Sequence, residues 1–327
     1  MRVLVVGVLL VLSFADAQTP PPIVEISTLS TTSEVYDFLI ARNGKSVAAF
    51  CKNQQIRQWS LPRGQILRTL DTHGRNVALV LISDDGHLFA ADRDGTVMAW
   101  DTTNANAAFQ TKLPRYRAAA FFRTSPNTAA FSHSGKYLAL SAMTDAMQVV
   151  EWPSGRSLYT LKSPPGGTSA VAFSRDDSRI AVAGTDGVLR IYDSSSGKLV
   201  AQNEDLRGES FAIDFSADGR QVVAGGADKA AIFVDAATGK LIRRIGPLAD
   251  VVAYLAISPD GKHLSAKLLR EESSALPAPV LVWDTVSGKK LAEWTPPGVA
   301  LGAAWSQDGH WLVLTSTPTA LHVWRVY

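Results

Sequence analysis

Residues 170–200 read AVAFSRDDSRIAVAGTDGVLRIYDSSSGKLV, and their pattern decides the fold. Two apolar runs, 170–173 and 180–183, flank a polar turn from Ser174 to Asp177. A second turn at Asp186-Gly187 opens a third run ending at Tyr192, and Gly197-Lys198 opens a fourth. Short apolar runs bounded by turn residues read as strands, and Asp-Gly pairs between them read as hairpin turns because glycine tolerates the left-handed backbone such turns need. The stretch is therefore a four-stranded antiparallel meander.

The same turn recurs along the chain at 41–44, 83–86, 132–135, 174–177, 216–219, 258–261 and 306–309. Successive turns are separated by 42, 49, 42, 42, 42 and 48 residues. An acidic or amide residue stands six positions before the end of the third strand in four units: Asn53, Asp94, Asp186 and Asp228. In a tight turn such a side chain bonds backbone amides, which is a structural role. Four strands in about 40 to 45 residues make a propeller blade. The expected fold is all-β, a seven-bladed β-propeller of four-stranded antiparallel blades. The last unit stops at its third strand, 324–327, while the strand-like segment 23–27 is unassigned. The N-terminal strand is thus expected to pair into the last blade and close the ring, removing an exposed sheet edge.

Trp100-Asp101 and Trp283-Asp284, with looser versions at Tyr192-Asp193 and Val234-Asp235, resemble the WD-repeat family, as do the Ser-x-Asp-Gly turns and the Gly-Lys starts of outer strands. All seven units share the resemblance. One feature departs from it consistently: the Gly-His pair expected before each inner strand is missing, and His73-Gly74 stands in the opposite order. Without that histidine the family's network of histidine, serine or threonine, aspartate and tryptophan cannot form in full, so the blades are expected to lean on apolar packing.

Three segments divide the chain: 1–17 a signal peptide, 18–22 a proline-rich lead-in, and 23–327 a single propeller. Arg2 precedes an apolar run from Val3 to Phe14, followed by Ala15-Asp16-Ala17. Twelve residues span about 18 Å as a helix, short of a hydrocarbon core of about 30 Å, and the small residues suit signal peptidase. Cleavage after Ala17 is expected, giving a periplasmic or secreted protein with no membrane insertion. Cys51 is the single cysteine, so no intramolecular disulfide forms, and the expected state is a buried thiol. Thirty-two basic against 30 acidic residues give a net charge of +2, which provides no field for nucleic acid.

Framework is generic in such a fold and loops carry specificity, so departures from the period point to the site. The third-strand end to the next turn takes 27 residues after Trp59 but 35 after Trp100. Turn to third-strand end takes 15 residues before Tyr192 but 22 before Trp283, a surplus assigned to 267–279. Both insertions open on one face, the family's usual binding face. The first, 114–127, carries Arg115, Tyr116, Arg117, Phe121, Phe122 and Arg123, aromatic and guanidinium groups enriched in interface hot spots; a local strand burying its own aromatics is the alternative. The second carries Arg270, Glu271 and Glu272, with a solvated loop as the alternative.

Catalysis needs convergent side chains, and the sequence offers few. His87, His133, His263 and His310 lie in or after the turns between first and second strands, on separate blades, and read as solvated. Asp214 occupies an inner-strand position where other units carry Leu or Ala, making it a candidate for lining the central channel. One carboxylate is neither an acid–base pair nor a metal cage. No catalytic residue, metal or cofactor is assigned. The reading is a monomeric, non-catalytic scaffold or sensor that binds another protein or a peptide. The alternative is a propeller enzyme, a metal-dependent hydrolase or quinoprotein-like oxidoreductase, with its site at the channel.

Overall fold

One serine hydroxyl builds the turn that recurs along the chain. Ser174 Oγ accepts the Arg179 N–H at 2.9 Å and donates to Asp176 Oδ1 at 2.7 Å. Asp177 takes a left-handed backbone, φ 58°, where the equivalent Gly219 and Gly261 lie at 70° and 74°. Ser216 and Ser258 repeat the arrangement with Asp218 and Asp260. Ser132 and Ser306 accept the amides of Tyr137 and Trp311 in the same way. Each serine thus satisfies an amide at the tight end of a hairpin, where no ladder partner exists.

The computed structural model describes residues 23–30, 33, 35–40, 45–61, 63–72, 77–82, 88–92, 96–100, 109–112, 129–141, 146–152, 154–270, 277–296, 303–306, 309–317 and 320–326. Among these, 28 strands, β1–β28 in chain order, form seven four-stranded antiparallel sheets. In one of them β14 (Thr168–Phe173) pairs with β15 (Arg179–Gly184), β15 with β16 (Leu189–Asp193), and β16 with β17 (Leu199–Asn203). The chain is an all-β propeller of small antiparallel sheets. One sheet is discontinuous in sequence: β1 (Ile23–Ser30) lies against β28 (Ala320–Val326), with Ile23 opposite Val326 and Ser30 opposite Ala320. First strands of successive sheets touch one another, among them β14, β18 (Ser210–Phe215), β22 (Val251–Ile257) and β26 (Ala303–Trp305), and β26 reaches β2 (Val35–Ile40).

The core lies between sheets rather than under one. Ala181 and Ala183 of β15 face Ile213, Val222 and Ile232 of the following sheet, while Ile180 and Val182 face Ala139 and Val149 of the preceding one. Strands buried on both faces must be apolar at every position, so 180–183 reads IAVA instead of alternating. Outer strands are half out of this stack, and Leu199, Leu241 and Ile242 stand exposed on them. Cys51 is buried at the end of β3 (Ser46–Cys51), and burial pushes its thiol up to about 11 against the opposing pull of Arg57. It is a packing group. Among the described residues no helix is long and apolar enough to cross a membrane.

Candidate functional site

Most acidic side chains with described surroundings are tied into the frame. Asp193 closes the turn between third and fourth strands: its Oδ1 accepts Ser195 Oγ, Ser196 N–H and Ser196 Oγ at 2.7 to 3.0 Å. Those bonds hold its carboxyl down at about 2. Asp235 and Asp284 do the same with Thr238 and Ser287. Each turn then finishes on a left-handed glycine, Gly197, Gly239 or Gly288. The aspartate after the bulky third-strand residue is therefore a turn clamp, which explains its recurrence without any catalytic role.

Neighbouring sheets are stitched on the same face. Asp177 accepts the backbone amides of His133 and Ser134 at 2.5 and 2.8 Å, 44 and 43 residues away. Burial alone would raise this carboxyl, but bonds from His133 and Ser134 outweigh it and hold it at about 2. His133 Nδ1 lies 3.6 Å from the same carboxylate. His263 stacks on Trp305 of the next sheet, with ring centroids 5.7 Å apart and planes at 20°. The reading of these two as solvated is thus corrected: both are partly buried inter-sheet contacts, whereas His310 is exposed. His87 lies outside the described residues. Asp214 is placed just as specifically. Its Oδ1 accepts its neighbour Phe215 N–H at 2.8 Å and its Oδ2 accepts Ile257 N–H of β22 at 2.9 Å. Oδ1 thereby stays within its own strand, and Oδ2 ties this inner strand to the next.

The opposite face carries the connections from second to third strand and from fourth strand to the next sheet, because a meander puts both at the same end. Four residues join β15 to β16, and four join β19 (Gln221–Gly226) to β20 (Ala231–Asp235). Ten, 270–279, join β23 (His263–Leu269) to β24 (Val280–Asp284). Sixteen, 113–128, separate β9 (Phe109–Lys112) from β10 (Ala129–Phe131), against five between β13 (Ser157–Lys162) and β14. Arg115, Tyr116, Arg117, Phe121, Phe122, Arg123, Glu271 and Glu272 lie outside the described residues, and Arg270 stands exposed at the end of β23. The surplus assigned to 267–279 starts later than expected, because 267–269 continue β23.

Ion pairs mark this face. Arg190 Nη2 meets Asp186 Oδ2 at 2.7 Å, and Arg244 Nη2 meets Asp228 Oδ2 at 2.8 Å. Arg244 also donates to the Asp205 carbonyl at 3.3 Å, tying two loops together. Glu209, just before β18, is half-buried, and burial raises its carboxyl above the usual range. Lys267 was not singled out from sequence. It is only 2% exposed, and burial alone brings its ammonium down to about 8. The repeat carried a signal for it: 42 and 84 residues earlier stand Gly225 and Ala183, both small and buried. A lysine at a position that elsewhere takes a small residue is the anomaly.

Two segments, 64–101 and 155–193, match the family model described as WD domain, G-beta repeat. These two segments are similar to WD repeats. Each begins before the fourth strand of one sheet and runs through the first three of the next: 155–193 contains β13, β14, β15 and β16. Each matched segment is thus offset from the sheet, and its outer strand belongs to the preceding one. Trp100 and Tyr192, at the third-strand ends of the two repeats, are buried at 1% and 8% exposure. The match agrees with a WD-repeat β-propeller. A search of curated proteins found no match.

Proposed function

We propose that this protein is a non-catalytic scaffold or sensor, built as one closed ring of seven WD-type blades, that binds a protein or peptide on its loop face. The observation that carries the reading is the contrast between the two faces. On the turn face, Asp176, Asp193, Asp218, Asp235, Asp260 and Asp284 are consumed by turn amides and hydroxyls. On the loop face, connections lengthen from four residues to ten and from five to sixteen. Extra length on one face of a rigid frame is where binding specificity resides. The aromatic and arginine content of 114–127, Arg115, Tyr116, Arg117, Phe121, Phe122 and Arg123, supports contact with a protein partner, as do Arg270, Glu271 and Glu272 on the second loop. The apolar run 3–14 and the small residues before Gln18 support export to the periplasm or the exterior, and the single chain is read as a monomer.

The test is affinity capture from cell-envelope extract, comparing wild type with a variant carrying Ala at Arg115, Tyr116, Phe121 and Phe122. A partner lost in the variant supports the reading, and an unchanged partner set overturns the site. Metal analysis of the same protein covers the enzymatic alternative. A stoichiometric ion whose retention depends on Asp214 would sink the scaffold.

A further inference from the structure

The last position of the recurring turn takes glycine in six of its seven copies, Gly44, Gly86, Gly135, Gly219, Gly261 and Gly309, and only Asp177 brings a side chain to it. Its left-handed backbone, φ 58°, is one that glycine adopts freely and most other residues avoid. The frame aims this position at the turn of the preceding sheet. A Cβ on Gly219 would meet Ser174 Cβ at 3.8 Å, and one on Gly261 would meet Ala217 Cβ at 3.6 Å. A side chain carried here is therefore delivered onto the neighbouring sheet. At this seam it meets His133, whose own turn position holds Arg42, Asp84, Arg175, Ala217, Pro259 and Gln307 in the other copies.

The Asp177 carboxylate makes two kinds of contact there. The backbone N–H groups of His133 and Ser134 donate to it at 2.5 and 2.8 Å, and neither donor changes charge. His133 Nδ1 lies 3.6 Å from Oδ1, is buried, and makes no hydrogen bond. The two side chains are 16% and 13% exposed, so an ionic contact between them is screened less than one on an open surface. Imidazoles change charge between about pH 5 and 8. Charged, the ring is ion-paired with Asp177 across the seam; neutral, it leaves the carboxylate to its two amides.

Other charged groups of the surrounding elements are committed or turned outward. On the His133 sheet, Glu151 is paired with Arg156, Tyr137 packs into the apolar cluster between the sheets, and Lys136 is exposed. Across the seam, Asp176 accepts from Ser174 and Ser178, Arg179 meets Asp193, and Arg175 donates to the Pro259 carbonyl at 3.1 Å. The turn of the preceding sheet, 83–87, with Asp84, Asp85 and His87, lies outside the described residues. Asp177 is thus the ion-pair partner of His133 among the described residues.

We propose that His133 and Asp177 form a pH-operated latch between the sheet of β10–β13 and the sheet of β14–β17, closed by an ion pair in mildly acidic surroundings and relaxed to two amide bonds as the ring loses its proton. The ion pair needs an ionised Asp177, and this carboxyl is held at about 2, so the latch is closed from there up to the imidazole range and weakens above it. It stands two residues beyond β10, the three-residue strand into which the long connection 113–128 leads. The latch therefore fixes the far end of the strand on which that connection is mounted. It goes beyond the scaffold reading and does not depend on what the loop face binds.

The test is hydrogen exchange of the His133 and Ser134 amides, read by NMR on the full chain at about pH 5.5 and about pH 8, toward the two ends of the imidazole range. Each rate is divided by that of the unfolded chain at the same pH, which leaves the protection due to structure. Protection in the wild type is expected to be about threefold greater at the lower pH, the size of a partly exposed ion pair. His133→Gln keeps the backbone amide and removes the titrating ring, and Asp177→Asn keeps an acceptor and removes the charge; in both, protection should be the same at the two pH values. Circular dichroism checks that each variant folds, and Asp177→Gly, the residue of the other six turns, stands in for an unfolded D177N. Equal protection at both pH values in the wild type overturns the latch, as does a pH dependence that survives in H133Q. Protection lowered equally at both pH values by H133Q means that the ring only packs, and also overturns it.

Discussion

Replacing Lys267 by methionine should stabilise the protein, and the gain should depend on pH in a calculable way. Burial lowers the ammonium from 10.5 in an open chain to about 8 in the fold. Below pH 8 the lysine is protonated in both states, and the folded state carries the full penalty of a desolvated charge. Between about 8 and 10.5 the unfolded chain binds a proton that the native state has released, so stability rises with pH. Above that range both forms are neutral. At about 1.4 kcal/mol per pH unit, the penalty is about 3 kcal/mol at pH 7, about 2 at pH 9 and under about 1 at pH 10. Methionine has a similar length, no charge and a flexible stem suited to the cavity the lysine vacates. Urea unfolding of wild type and K267M at pH 7, 9 and 10 would read these differences from the midpoints, provided the slopes agree. A variant no more stable than wild type at pH 7 would refute the reasoning, and so would a gap that stays constant to pH 10.

Three further perturbations probe the frame. Asp177, held at about 2 and partly open to solvent, contributes stability that is full above its unfolded value of 3.8 and is lost as pH falls through 2. After solvent screening this amounts to about 1 kcal/mol, so Asp177→Asn should flatten the acid limb of a pH-stability curve; an unchanged limb would exclude the inter-sheet bond as its source. Ser258→Ala removes a buried hydroxyl that serves His263 N–H and Asp260, at a cost of about 1 to 2 kcal/mol by urea denaturation, whereas a neutral result would mean water replaces it. Deleting 23–30 strips the β1 partner from β28 and leaves an open sheet edge, so the truncated protein should show more association in light scattering than the full chain at the same concentration.

The turns were legible because their chemistry is local. Ser174 and Asp176 lie within three residues, and the bonds they make close within five. Turn spacing therefore revealed the meander and its period, and the longer connections after β9 and β23 were visible as departures from 42. The boundary at Lys267 was missed for a related reason. A surplus can be counted from sequence, but where a strand stops depends on pairing with Tyr254 and Val280, which the count does not contain.

Histidines in turns read as solvated because nothing near them in sequence covers them. Their actual neighbours, Asp177 for His133 and Trp305 for His263, are about 42 residues away. Asp214 is a channel candidate by its position in an inner strand, and the structure adds that its second oxygen meets an amide 43 residues on. Sequence by itself determined the hairpins, their period and the face that bears long loops, since these follow from turn geometry and strand alternation over a few residues. Only the tertiary structure decided which side chains bridge adjacent sheets, how deeply Lys267 is buried, and which buried donors, Trp294 and Trp324 among them, have no acceptor among the described residues. Those outcomes depend on how surfaces a full repeat apart pack together, and no local pattern encodes that distance.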